Sequence, residues 1–190
     1  AFYRIFIDHG DAALHFADYY DVELFRTQYL AYYLVVAALA KLMGVMLANK
    51  VVLSAALVST PYAMRALLVA QGRDERVSLF VLPLTWNAHL LLGFFNFVAA
   101  IPLCLVGLAL AIRLRDDFDR RRAVALGVVS LVCFYTHVVP FAFLGLGAGL
   151  LAIGDGLVPT LRRWAPLVPS AIAMMRSAFS AICRSWVMMT

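Results

Sequence analysis

The chain has 190 residues, of which 64% are hydrophobic and 14% are charged, and its formal net charge is +5 at pH 7. Soluble domains typically contain about 45–50% apolar and about 25% charged residues, so this composition excludes an ordinary soluble domain and predicts an integral membrane protein. A basic surplus in such a protein is first a topology signal, and because no soluble segment interleaves basic and aromatic residues, we expect no nucleic-acid partner.

Residues 1–26 are predicted to form an acidic extramembrane segment, because five acids face only two arginines there and give a net charge of −3. Asp8, Asp11, His15 and Asp18 follow one another at spacings of 3, 4 and 3, which would place them on one face of a helix. Carboxylates beside an imidazole can hold a divalent cation or supply a general base. The alternative is the solvated face of a short surface helix.

Residues 27–154 are predicted to form a transmembrane helical domain. A spanning helix needs about 20 apolar residues to cross a hydrocarbon core of about 30 Å. Thr27–Met43, with tyrosines clustered at one end, is the first candidate, and Val51–Ala70, with Pro61 inside it, is the second. Together with two longer uncharged runs, these segments predict an all-α bundle of about five to six membrane segments.

The two longer runs are each too long for one span. Val77–Ile112 has 36 residues without a charged side chain and would measure about 54 Å as one straight helix. We therefore predict a helical hairpin whose turn falls between Trp86 and Asn96. Ala123–Gly154 has 32 uncharged residues, and a break is expected at His137 and Pro140, since a proline disfavours helix in the residue before it.

Four polar side chains lie inside these runs, at Asn87, His89, Asn96 and His137. Backbone groups that a turn frees at membrane depth need partners that lipid cannot supply, and asparagine side chains can supply them. The alternative is functional, because polar groups at this depth often border a substrate cavity. The residue types alone leave both interpretations open.

Residues 155–190 are predicted to form an interfacial linker and an amphipathic helix. Serines and arginines fall on one face of that helix, and apolar residues recur on the other at intervals of 3 and 4: Ile172, Met175, Phe179, Ile182, Trp186 and Met189. Such a helix is suited to the headgroup region of a membrane, although it could equally pack its apolar stripe on the other helices. The three cysteines lie in apolar surroundings without metal-binding spacing and predict buried, reduced thiols.

Arginines predict the orientation of the chain. They concentrate in three loops, which contain Arg73 with Arg76, the segment 113–122, and Arg162 with Arg163. If both long runs are hairpins, the three loops share one side, and the positive-inside rule makes that side cytoplasmic. The segment around Asn87 then faces outward, as does His137. Strict alternation would place residues 1–26 in the cytoplasm as well, and they would lie outside only if Thr27–Met43 fails to cross completely.

The order of parts resembles a known class of membrane protein. An aromatic-rich helix ends in LMG, a second helix ends in YAMRALLVAQGRDE, and the long runs contain TWNAHLLLGFFNF and FYTHVVPFAFL. Over roughly residues 8–153 this is similar to bacterial polytopic glycosyltransferases of the GT-C type. The family fold has more spans than this chain has room for, including one before the acidic loop, so we expect a partial chain.

The resemblance implies a protein of the bacterial inner membrane that transfers a sugar from a polyprenyl-phosphate carrier to an acceptor outside the cytoplasm. It further implies that Asp8 or Asp11 is the base or metal ligand, and that Asn87, His89 and Asn96 bind sugar hydroxyls or pyrophosphate. Phe94, Phe95 and Phe97 would lie in lipid or against the polyprenyl tail. The competing hypothesis is a non-catalytic membrane subunit of a larger complex.

Overall fold

The computed structural model describes residue 5, residues 7–20 and residues 29–153. Every regular element in these ranges is helical and none is a strand, which confirms the predicted all-α class there. In chain order the elements are α1 (Phe16–Tyr19), α2 (Leu30–Met43), α3 (Val45–Ala70), a 3-10 helix (Glu75–Phe80), α4 (Val81–Leu84), α5 (Ala88–Leu91), α6 (Phe95–Asp116), α7 (Arg120–Thr136) and α8 (Val138–Ile153). The predicted linker and amphipathic helix of residues 155–190 lie outside the described residues.

Two of the helices, α3 and α6, are long and apolar enough to cross a membrane. They have 26 and 22 residues, or about 39 and 33 Å of helix, against a hydrocarbon core of about 30 Å. Each contains a proline, Pro61 in α3 and Pro102 in α6. The apolar helices α2 and α8 are shorter.

The first long uncharged run is broken where the sequence predicts, between Trp86 and Asn96. The chain leaves helical structure after α4, forms the one-turn helix α5, turns again at Gly93 with φ of 83° and enters α6. The predicted hairpin is wrong in one respect, because its first arm is a 3-10 helix followed by a single α-turn. These elements extend about 18 Å, and Pro83, which lacks a backbone N–H, lies within them.

The second long run breaks at His137, as predicted. α7 ends at Thr136, His137 is extended with φ of −165° and ψ of 131°, and α8 begins at the next residue. Pro140 lies in the first turn of α8, where its missing N–H would have no intrahelical acceptor.

The predicted helical face of Asp8, Asp11 and His15 is not formed. Residues 8–15 follow a series of turns, and the only helix that follows directly is the four-residue α1. The side chain of Asp11 accepts a hydrogen bond from the N–H of Ala13 at 2.9 Å, a local pattern that competes with helix. His15 has φ of 52°, in the left-handed region, so the backbone turns away from a helical path at that residue.

α6 is the central helix of the bundle and packs against α3, α7 and α8. Ala48, near the start of α3, shares an apolar cluster with Phe95 at the start of α6. Leu67, near the end of α3, shares another with Ile112 near the end of α6. α3 and α6 therefore run parallel, and residues 71–94 return along the bundle from the end of one helix to the start of the other.

This arrangement gives the bundle two chemically different ends. We call one the arginine end, because it holds the loop with Arg73 and Arg76 and the loop 113–122, which follow the parallel helices α3 and α6. We call the other the histidine end, because it holds the start of α6 and His137 between α7 and α8. The first two of the three arginine loops thus lie at one end, as expected, while Arg162 and Arg163 lie outside the described residues.

Candidate functional site

Two imidazoles contact one phenylalanine at the histidine end. The His89 ring stacks on Phe97 with centroids 4.5 Å apart and an interplanar angle of 22°. His137 contacts the same phenylalanine edge-on, with centroids 5.3 Å apart and an angle of 88°. His137 also contacts the ring of Tyr29 edge-on at 5.1 Å. We call Tyr29, His89, Phe97 and His137 the histidine cluster.

Three members of this cluster, His89, Phe97 and His137, belong to the two long uncharged runs, and each lies at or next to a break between helices. His89 lies in the one-turn helix α5, and its carbonyl accepts the N–H of Phe94 at 2.9 Å as the chain turns through Gly93. Phe97 lies in the first turn of α6. His137 separates α7 from α8. The site is therefore assembled from chain turns at one end of the bundle.

His137 is held as a neutral imidazole. Its Nδ1 accepts the backbone N–H of Val139 at 3.2 Å, which requires an unprotonated Nδ1 and leaves the proton on Nε2. Burial lowers the pKa of His137 from its ordinary value, and the nearby His89 lowers it further. The residue thus caps α8 through one ring nitrogen and offers a donor through the other.

Asn87 stabilises the turn before α5 through both ends of its amide. Its Oδ1 accepts the N–H of Leu90 at 3.1 Å, and its Nδ2 donates to the carbonyl oxygen of Leu84 at 3.2 Å. These are backbone groups freed by the break in the first run, so the geometry favours the structural interpretation of this asparagine. Asn96 lies in the first turn of α6, beside Phe97.

An apolar groove of about 470 Å³ lies next to the histidine cluster, between α2, α3, α6 and α7. Ala31 and Tyr32 follow Tyr29 along the chain, Ala99 follows Phe97 by two residues, and Thr136 precedes His137; all four line the groove. The hydroxyl of Thr136 donates to Val132 in its own helix at 2.7 Å. The groove therefore offers a nearly apolar wall, and four of its lining residues lie within three residues of the histidine cluster along the chain, although no member of the cluster lines it.

The acidic candidates in the N-terminal segment make local interactions. His15 Nδ1 pairs with Asp18 at 2.8 Å, with both side chains largely exposed. The side chain of Asp11 accepts the N–H of Ala13, and the backbone carbonyl oxygen of Asp8 accepts the N–H of Asp11 at 3.0 Å. Within the described ranges no group of three or more histidine, cysteine or acidic side chains could hold a metal ion.

The sequence singled out His89 and His137 but did not bring them together. Phe97, which joins them, was expected to lie in lipid or against a polyprenyl tail, and Tyr29 was expected only as an interfacial aromatic residue. Forty residues separate Phe97 from His137, and no spacing rule connects positions on different helices. The signal that could have linked the two histidines to Phe97 is that each of the three adjoins a predicted break.

Comparison of the chain with protein-family models, with curated proteins and with solved structures found no match. The resemblance to GT-C glycosyltransferases is carried by the sequence segments quoted above.

Proposed function

We propose that the chain is an integral protein of the bacterial inner membrane, with about five to six membrane segments. The proposal is supported by two helices of spanning length, by the apolar helix α8, and by α7, which connects the two ends of the bundle. The segment 71–94 would be a further, broken crossing. Irregular backbone at membrane depth is tolerated where protein covers it, and in this segment the 3-10 helix and α4 pack on α3 while α5 packs on α6.

The ligand that we propose is a polyprenyl-phosphate sugar, bound at the histidine end as in a GT-C type glycosyltransferase. The observation that carries this proposal is the apolar groove, whose lining includes residues that adjoin the histidine cluster along the chain. Its volume is within the range of ligand pockets, about 300–1,000 Å³, and its wall suits part of a prenyl chain. The Nε2–H of His137 and the exposed ring of His89 would bind the phosphate or the sugar.

Transfer of the sugar needs a base for the acceptor hydroxyl, and Asp8 or Asp11 is the candidate that the resemblance implies. A divalent cation bound to one of them is the alternative form of the same proposal. Asn96, at the start of α6, is a further candidate for contact with the sugar, while the amide of Asn87 is already bonded to the backbone.

The competing proposal is a non-catalytic subunit of a membrane complex. It is favoured by the long exposed apolar face of α3. Leu47, Val58 and Tyr62 on that face are 52%, 61% and 68% exposed. Lipid or another subunit could cover such a face.

The groove can be tested with a photoactivatable polyprenyl phosphate added to membranes that contain the protein. Val35 lines the groove, so Val35→Trp should fill it and remove most of the labelling. Leu34→Trp, the matched control on the same helix, places the same side chain at a position that does not line the groove and should keep it. Equal labelling of both variants would reject the groove as the binding site.

Catalysis is tested separately, by sugar transfer from the same class of donor. Labelling without transfer would support a lipid-binding subunit, whereas transfer that depends on His89 or His137 would support the enzyme. Recovery of the protein from the soluble fraction would reject the membrane location itself.

A further inference from the structure

The arginine end carries cations that have no carboxylate partner among the described residues. Arg115 pairs with Asp116 at 3.4 Å, and Arg122 pairs with Asp117 at 3.5 Å and Asp119 at 3.8 Å. The three carboxylates of this loop are thus occupied. Arg113, Arg120 and Arg121 are exposed and form no ion pair with any residue that the structure describes.

Two of these arginines stand where the fold itself disfavours a positive charge. Arg120 and Arg121 form the start of α7, and the N-terminal end of a helix carries a partial positive charge that repels cations. The cap is already complete, because Asp119 Oδ1 accepts the N–H of Arg121 at 3.1 Å. Neither helix stability nor an ion pair within the described residues accounts for these two charges, so both remain available to an anion outside the chain.

The three arginines lie where the apolar helices α6 and α7 end and begin. Leu114 and Ala123, which lie close to Arg113 and Arg121 along the chain, are buried together between α6 and α7. Phe118, at the tip of the loop, is 46% exposed. Long arginine side chains can extend from an apolar surface while their charged heads reach the phosphate level of a membrane. An exposed aromatic ring beside them suits the same interfacial layer.

We propose that Arg113, Arg120 and Arg121 bind the phosphate of an anionic phospholipid such as phosphatidylglycerol. The partner is a lipid because the cations lie where apolar helices end and beside an exposed phenylalanine. This inference rests on the membrane location proposed above but needs neither the transferase activity nor the histidine cluster. The loop would thereby fix the depth at which α6 and α7 sit in the bilayer.

The test measures binding of short-chain phosphatidylglycerol to the full chain in neutral detergent by native mass spectrometry, with phosphatidylcholine as the uncharged comparison. Each arginine near an anionic surface strengthens binding about fivefold, so Arg120→Gln with Arg121→Gln should weaken binding about 25-fold. Lys41→Gln with Lys50→Gln removes the same charge from exposed positions outside the arginine end and should leave binding nearly unchanged.

A second variant separates charge from folding. Arg120→Lys with Arg121→Lys keeps both cations and should retain the preference for phosphatidylglycerol. The proposal would be overturned if the glutamine and lysine double variants lost equal affinity for phosphatidylglycerol. It would also be overturned if the protein bound phosphatidylcholine equally well, or if glycerol phosphate displaced the lipid at the same concentration. Absence of the protein from the membrane fraction would instead reject the membrane location.

Discussion

The side chain of Leu144 on α8 packs so closely on Gly107 of α6 that a Cβ atom at that glycine would lie 2.7 Å from Leu144 Cδ2. The contact is reciprocal, because a Cβ at Gly147 of α8 would lie 2.6 Å from Leu108 Cδ2 of α6. Helices that pack in lipid gain little from apolar burial alone and depend on close approach through small residues. The two glycine–leucine contacts therefore hold α8 against the central helix.

Gly107→Val should destabilise the protein by about 1–3 kcal/mol, because the added methyl groups displace Leu144 from a position that is 2% exposed. A Cβ atom added at Gly127 on α7 would have no other atom within 4 Å, so Gly127→Val is the matched control with the same change in helix propensity. Thermal unfolding in detergent micelles should separate the two variants. Equal melting temperatures would show that the close packing on α6 contributes nothing.

Asn87→Ala should cost about 0.5–2 kcal/mol, since it removes the cap of α5 and leaves the carbonyl of Leu84 without its amide donor. Asn87→Asp keeps the side-chain acceptor and should lose less stability than Asn87→Ala. Asn96→Ala, a neighbouring asparagine change, is expected to stay within about 0.5 kcal/mol. The measurement is again thermal unfolding. A larger loss of stability in Asn96→Ala than in Asn87→Ala would contradict the structural role assigned to Asn87.

Stability should fall as the pH is lowered below about 6.5, because the folded state lowers the pKa of His137 below its ordinary value of 6.5. The unfolded chain then binds a proton more readily than the folded chain between the two pKa values. The stabilisation is complete above pH 6.5 and is lost as the pH falls through the folded pKa. Protonation also places a proton on Nδ1 and removes the cap on Val139.

His137→Asn provides the control for this pH dependence, because an asparagine can accept the same N–H at every pH. Melting temperatures measured from pH 7.5 to pH 5 should decline more steeply for the unmodified protein than for this variant. Parallel curves would exclude His137 as the titrating group, whatever the other histidines contribute.

Asp8→Asn or Asp11→Asn should lower sugar transfer about 10²–10⁴-fold if the mutated residue is the base for the acceptor hydroxyl. Asp18→Asn is the comparison, because Asp18 pairs with His15 at an exposed position and the resemblance implies the base at Asp8 or Asp11 instead. Protein levels are measured in parallel. Normal transfer by both Asp8 and Asp11 variants would remove these residues from the mechanism.

The orientation can be tested by cysteine labelling after the three native cysteines are replaced. A cysteine at Asp117, at the arginine end, should resist a membrane-impermeant thiol reagent in intact cells, because arginine-rich loops remain cytoplasmic. A cysteine at Ala88, in α5 beside His89, should react. The reverse pattern would invert the proposed topology.

Hydropathy and charge predicted the helical class and the two breaks. An uncharged run that would form a helix much longer than the membrane is thick has to turn within the run. They also predicted that the loops containing Arg73 and Arg113 share one end. They could not predict the 3-10 path before Trp86, since that conformation depends on packing against α3. The helical face proposed for Asp8 and His15 failed because local turns, including a side-chain bond from Asp11, took the place of helix.

The histidine cluster shows what pattern alone misses. His89 and His137 were recognised as polar residues in apolar runs, but their common neighbour Phe97 looked like one apolar residue among many. Stacking on Phe97 depends on how α5, α6 and the junction of α7 with α8 meet. That meeting is a property of tertiary packing, which residue spacing does not record.

The parallel course of α3 and α6 has a consequence for how the chain enters a membrane during synthesis. Two consecutive long helices usually insert as an antiparallel pair, whereas under the proposed membrane location the stretch 71–94 would cross the bilayer to connect α3 with α6. Its last turn, α5, packs on the start of α6 through His89 and Phe97. This stretch can settle only after α6 has been made and has docked beside α3, so assembly of the bundle is completed late, after the ribosome has moved well past the residues concerned.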